Sequence, residues 1–144
     1  MKTFSLEEAQ TLVPVLESLM KNAIEAKDAA EMIAQDLQQL SQRIFLNGGT
    51  LVHIAEVARQ RARHDKAVQQ VKDTLAEIDS IGVQVKDLDT GLLDFPCRLG
   101  DEIVLLCWKM GETEIRHWHT MDSGFLGRQP VDERFRHPQK QRPN

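Results

Sequence analysis

The residues best suited to chemistry lie between Glu114 and Phe125, in the string Glu-Ile-Arg-His-Trp-His-Thr-Met-Asp-Ser-Gly-Phe. If this stretch is a strand, alternate side chains share a face, so His117 and His119 project together and Trp118 projects from the other side. Two imidazoles at that spacing can reach one ion, and Zn, Fe, Ni and Cu all accept nitrogen ligands. Asp122, three residues after His119, can curl back from a following turn as a third, hard ligand. Two histidines and one carboxylate form a ligand set used by catalytic metals that keep an open position. Glu114 has the wrong parity for this face unless a bulge intervenes. The competing reading is a strand whose histidines bond backbone or solvent while Trp118 packs against helices.

Other groups are weighed against that strand. Asp87, Asp89 and Asp94 can serve as further metal ligands or as partners for the second ring nitrogen of a ligating histidine. Leu88-Asp89-Thr90-Gly91 has the hydrophobic-Asp-Thr-Gly form found in aspartic proteases, where two carboxylates share a proton. Those enzymes are all-β, this chain is over half helical in its pattern, and Asp-Thr-Gly is an ordinary turn composition. The spacing of Gly111 to His117-x-His119 matches the opening of the cupin metal motif, but the glutamate that should follow is missing. The roughly 45 residues available also hold too few strands of about five or six residues for that fold. Cys97 and Cys107 are the only cysteines and read as reduced, buried thiols. With tight turns centred on Gly100-Asp101 and Gly111-Glu112, Cys97 lies across from Val104 and Val104 across from His119. That places Cys97 on the histidine face, two strands and roughly 10 Å away. Arg128, in Gly127-Arg128-Gln129-Pro130, can hold an anion by a bidentate contact or tether the chain end.

Composition narrows the class. The 144 residues are 41% hydrophobic, enough to build the core of one domain, and the formal net charge is −4. An acidic balance argues against general nucleic-acid or anionic-membrane binding. No apolar run approaches the roughly 20 residues that span a bilayer, and the N-terminal Met-Lys-Thr-Phe-Ser-Leu-Glu-Glu has no signal-peptide core. A cytoplasmic location is expected.

The elements that must position these groups follow from periodicity. Ser5-Leu6-Glu7-Glu8 has the form of a capping box. Apolar residues then recur at three- and four-residue steps from Leu6 through Val13, Met20, Ala23, Ala26, Ala30, Ile33, Leu37 and Leu40 to Ile44. This predicts one long helix ending at Asn47-Gly48-Gly49, with Pro14 either kinking it or marking its true start. A second helix, striped by Ile54, Val57, Arg61, His64, Val68, Val71, Leu75 and Ile78, runs to Ile81-Gly82. The short connection makes the pair antiparallel, with Arg61 and His64 set against the small residues from Ala30 to Ala34. His64 reads as a satisfied interface histidine. From Val83 the period becomes that of strands, including the continuous apolar run Ile103 to Trp108, which suits a central strand covered on both faces. The expected fold is α+β: a long antiparallel helical hairpin over 1–82, coiled-coil-like, then a small antiparallel β-meander of three or four strands over 83–127 packed on it. Residues 128–144, with five Lys/Arg against two Asp/Glu and three prolines, are expected to be a flexible basic tail.

Several strings together resemble a known family. They are Gly82-Val-x-Val-Lys-Asp-Leu-Asp-Thr-Gly-Leu-Leu-Asp-Phe-Pro96, Leu106-Cys-Trp108, Gly111-Glu-x-Glu-Ile115, His117-Trp-His119, Gly124-Phe-x-Gly-Arg-Gln-Pro130 and the opening Phe4-Ser-Leu-Glu-Glu-Ala9. They are similar to the prokaryotic family catalogued as domain of unknown function 2203, across nearly the whole chain to Val131. That family brings no activity with it. The resemblance implies that the Asp87–Asp94 segment and the His-Trp-His strand belong to one recurring unit. Two functions are therefore expected in competition. One is a divalent transition-metal site, zinc or iron, on His117, His119 and Asp122 or a carboxylate from Asp87 to Asp94, open to hydrolytic chemistry. The other is a non-enzymatic oligomerisation or adaptor module, a homodimer or higher homo-oligomer joined through the helices.

Overall fold

A computed structural model describes residues 2–48 and 51–136. Two long helices packed together, α1 (Leu6–Asn47) and α2 (Leu51–Ile81), precede an antiparallel sheet. The strands are β1 (Gln84–Asp87), β2 (Leu92–Leu99), β3 (Glu102–Lys109), β4 (His117–Thr120) and β5 (Gln129–Pro130), and they lie side by side in that order. A single 3-10 turn (Phe125–Gly127) precedes β5, and a helical turn α3 (Glu133–Arg136) follows it. The expected α+β architecture is present. The chain divides into two compact units, one of Met1–Met20 with Ala76 onward and one of Lys21–Leu75. The boundary therefore cuts both helices rather than falling between hairpin and sheet.

The start of α1 follows from local chemistry. The Glu8 N–H donates to Ser5 Oγ at 3.1 Å and the Ser5 N–H donates to Glu8 Oε1 at 2.9 Å, the reciprocal capping box read in the sequence. Pro14 neither starts nor ends the helix: α1 runs unbroken through it. At the other end Gly48 takes φ 76°, the left-handed position that closes a helix.

In the unit Lys21–Leu75, α1 buries Ala23, Ala26, Ala30, Ile33 and Leu40, as its spacing predicts. The stripe on α2 is displaced. Ala67 and Thr74 are buried, while Val68 and Leu75 are only half-buried and Arg61 is exposed. Both 3–4 alternations share Val57, His64 and Val71, and apolar content alone favours the wrong one.

In the sheet-bearing unit the core lies on one sheet face. Leu93, Phe95 and Cys97 of β2, Val104, Leu106 and Trp108 of β3, and Trp118 of β4 form one cluster with Phe4, Ala9, Val13, Leu16 and Met20 of the N-terminal segment and with Ile78. Both indoles find acceptors, Trp108 Nε1 on the Glu112 carbonyl at 3.0 Å and Trp118 Nε1 on the Pro130 carbonyl at 3.2 Å. β3 is buried at every residue from Val104 to Trp108, as its apolar run requires of a strand flanked on both sides.

Two expectations are corrected here. Cys97 does pair with Val104, but Val104 pairs with Thr120 and not with His119. The segment between β3 and β4 is a longer irregular loop, so the register moves by one residue. A slip of one exchanges the faces: Cys97 joins the hydrophobic core and Cys107 lies on the histidine face. The second correction concerns the segment from Arg128. It contributes β5, which pairs with β4, and Phe135 is buried with its ring 5.5 Å from that of Trp118. One phenylalanine among charges anchors it; residues 137–144 lie outside the described residues.

Gly91 tests how β2 is aimed. It closes the β1–β2 turn at φ +72°, and an added Cβ would stand 2.5 Å from Met110 Cβ. Gly100, in the β2–β3 turn at φ +63°, has nothing within 4 Å. Gly100→Ala should cost about 1 kcal/mol from backbone conformation alone. Gly91→Ala should cost roughly 2–4 kcal/mol because overpacking adds to it. Urea unfolding midpoints of the two variants check the difference, and equal costs would contradict the geometry.

Candidate metal centre

Three residues from three adjacent strands converge on the sheet face opposite the core. Asp94 on β2 pairs with Cys107 on β3, and Cys107 pairs with His117 on β4. His119, two residues along from His117, shares that face and reaches back toward β2. Its Nε2 stands 3.1 Å from both carboxylate oxygens of Asp94. Asp94 Oδ, Cys107 Sγ and a ring nitrogen of His119 all lie within 4.8 Å of one another, and all three residues are buried. Exposure is 1% for Asp94, 1% for Cys107 and 3% for His119.

The tautomer of His119 follows from its other nitrogen. Nδ1 is 2.8 Å from the Thr120 carbonyl oxygen. A carbonyl only accepts, so Nδ1 carries a proton and donates it. Nε2 then faces a carboxylate with a lone pair unless a cation lies between them. That cation is either a proton shared with Asp94 or a metal ion.

Burial pushes the Asp94 carboxyl above its ordinary value, while His119, Lys86 and a hydrogen bond from Cys107 pull it down. Burial likewise raises the Cys107 thiol from 9.0 to about 12, helped by the negative charge of Asp94 and opposed by Arg128. Neither group ionises readily alone, and a divalent ion between them would reverse this by stabilising both anions.

The other candidates from the sequence lie elsewhere. His117 is on the same face, and its Nδ1 is buried with no hydrogen-bond partner among the described residues. It is not among the three converging groups. Asp122 is exposed, and its Oδ1 accepts a hydrogen bond from the Thr120 hydroxyl at 2.9 Å. Glu114 is exposed in an ion pair with Arg116 at 3.5 Å. Asp87 at the end of β1 and Asp89 in the β1–β2 turn are exposed, and Asp87 Oδ1 accepts from the Asp89 N–H at 3.0 Å. The Asp-Thr-Gly string is thus a turn, as its composition implies. Cys107, read in the sequence as a structural thiol, belongs to the cluster. The available signal was Asp94 itself: a carboxylate in the middle of Leu92-Leu-Asp-Phe-Pro-Cys97 has no place in a buried strand without a partner.

The thiols make a test. Cys97 is raised from 9.0 to about 11, by burial first and by Glu8 second. A raised folded value means that the folded chain keeps a proton the unfolded chain releases. The stabilisation is complete below about pH 9 and is lost as pH rises through about 11. Unfolding free energy should therefore fall across that window, with a shallower fall in Cys97→Ala. In the native state both thiols should react with a disulfide reagent far more slowly than in guanidinium.

Comparison with known proteins gives a family without an activity. No curated protein and no solved structure shows detectable similarity to the chain. Residues 2–131 match the family described as "Uncharacterized conserved protein (DUF2203)", a span that includes Asp94, Cys107, His117, His119 and Arg128. The chain belongs to that family of uncharacterised conserved proteins, the domain of unknown function 2203.

Proposed function

We propose that this protein binds a divalent transition metal, zinc or iron, through His119 Nε2, the Asp94 carboxylate and the Cys107 thiolate. The observation that carries this is the His119 geometry: one nitrogen committed to the Thr120 carbonyl, the other aimed at both Asp94 oxygens beside a buried sulfur. A ring N–H held by a backbone carbonyl is the usual outer support of a ligating histidine, fixing tautomer and orientation. Charge also favours it. A dication with one carboxylate and one thiolate sums to zero, which suits a site this buried, whereas an unpaired carboxylate there costs several kcal/mol. Imidazole and thiolate together select zinc or iron over magnesium or calcium. Held by Asp94, Cys107 and His119, such an ion would keep a fourth position open and would supply Lewis-acid chemistry there, for which hydrolysis is the reaction class it suits.

Metal analysis of untagged protein after loading with zinc tests the proposal. The wild-type chain should hold about one ion, and His119→Ala and Cys107→Ala should hold almost none while remaining folded by circular dichroism. Asp122→Ala should bind as the wild type does, and His117→Ala should keep the stoichiometry. Near-zero metal in the wild type would sink the proposal. Loss in Asp122→Ala with retention in Cys107→Ala would replace this ligand set by the one centred on the His-x-His strand.

A second reading has its own observation, in the helical unit. Phe45, Leu46, Leu51 and Ile54 are 87%, 76%, 84% and 61% exposed, near the ends of α1 and α2 that face the connection. Apolar side chains grouped in this way suit self-association of the hairpin. Mass in solution at micromolar concentration should exceed that of one chain and fall toward it in a Phe45→Ser/Leu51→Ser double variant. A strictly monomeric wild type would dismiss it.

A further inference from the structure

We infer that Arg128 holds a small oxyanion, the phosphate or carboxylate group of a ligand, beside the metal centre; this rests on the metal reading above. The antiparallel register carries the placement. His117 pairs with Pro130 and Trp118 with Gln129; continuing that register one residue beyond the end of β5 brings Arg128 opposite His119, and Arg128 itself is extended at φ −60°, ψ 143°. Paired residues share a sheet face, which is the face of Asp94, Cys107 and His119.

The guanidinium is held but not consumed. Its central carbon stacks 4.0 Å from the centroid of the Phe125 ring, a contact that orients the plane; one N–H is directed at the Cys107 sulfur, and the five-donor fork has others left to donate. The nearest carboxylate is Glu112, whose Oε2 stands 4.0 Å away. That is an ion pair beyond hydrogen-bond length. Glu112 is restrained on its other side, because its Oε1 accepts the Lys109 N–H at 2.8 Å. Arg128 is also near enough to Cys107 to oppose the rise of its thiol. With 27% of its side chain exposed, Arg128 touches solvent on one side and the buried cluster on the other.

A planar, always-charged fork in that position matches the two oxygens of a carboxylate or phosphate. Arg128 would then be a binding residue that presents the anionic group of a ligand to the fourth metal position.

The test uses the full chain loaded with cobalt(II), titrated separately with inorganic phosphate and with acetate. The visible cobalt spectrum and phosphorus-31 line broadening are the readouts. Either anion should shift the spectrum saturably, and whichever binds more tightly identifies the group as phosphate or carboxylate. Arg128→Gln should load cobalt with the unliganded wild-type spectrum but bind the anion at least about tenfold more weakly. Glu112→Gln, which removes the competing carboxylate, should tighten it. Normal cobalt loading with no response to either anion would overturn this inference and leave the metal reading standing. Unchanged anion affinity in both variants would also overturn it. A wild-type chain that takes up no cobalt would overturn both together.

Discussion

A carboxylate with 1% exposure points both oxygens at one imidazole nitrogen, 3.1 Å from each, and much of the sheet depends on how that contact is satisfied. The pair cannot be rearranged piecemeal. The Thr120 carbonyl fixes the histidine tautomer, the tautomer fixes which nitrogen meets Asp94, and Asp94 in turn helps raise the Cys107 thiol. Removing either partner strands a polar group in a dry site, which costs about 3–5 kcal/mol for a broken buried pair. The polar face of the sheet is therefore as constrained as the hydrophobic one, though by charge balance instead of volume.

That constraint is a matter of register. Asp94, Cys107 and His119 lie 25 residues apart at their extremes and share a face only because β2, β3 and β4 pair as they do. The Gly100-Asp101 turn between β2 and β3 was legible, since tight hairpins fix pairing through their length. The segment from Met110 to Arg116 was not. It holds Gly111 but closes through Trp108 Nε1 and the Lys109 N–H, which donate to Glu112. A loop stabilised by side chains does not announce its length, and one residue of error moved Cys97 onto the site face and Cys107 off it.

Other features were legible to the degree that they were local. The capping box, the alanine stripe of α1 and the doubly buried β3 all arise from neighbours in sequence, and all are present. What escaped depends on distant partners. The buried stripe of α2 differs from the one its apolar content favours, and Phe135 packs its ring against Trp118, seventeen residues back on β4. The His-x-His parity was readable, and it placed His119 correctly with respect to Trp118. His119's true partner was readable only as an anomaly, an acidic residue inside an apolar strand.

Stability does not explain why such a cluster is there. A buried ion pair replaced by apolar side chains of similar volume is often as stable or more so. On this face Pro96 and Leu105 already show that apolar residues pack well beside His119. A valine or leucine trio at 94, 107 and 119 would close the sheet with no charge to balance. The present trio instead brings an oxygen, a sulfur and a nitrogen within 4.8 Å of one another in one buried space, with a backbone carbonyl accepting from the histidine. His117 Nδ1 adds a buried nitrogen without a partner among the described residues, a further cost of roughly 1–3 kcal/mol. Four chemically versatile groups thus share one sheet face that packing alone does not require to be polar.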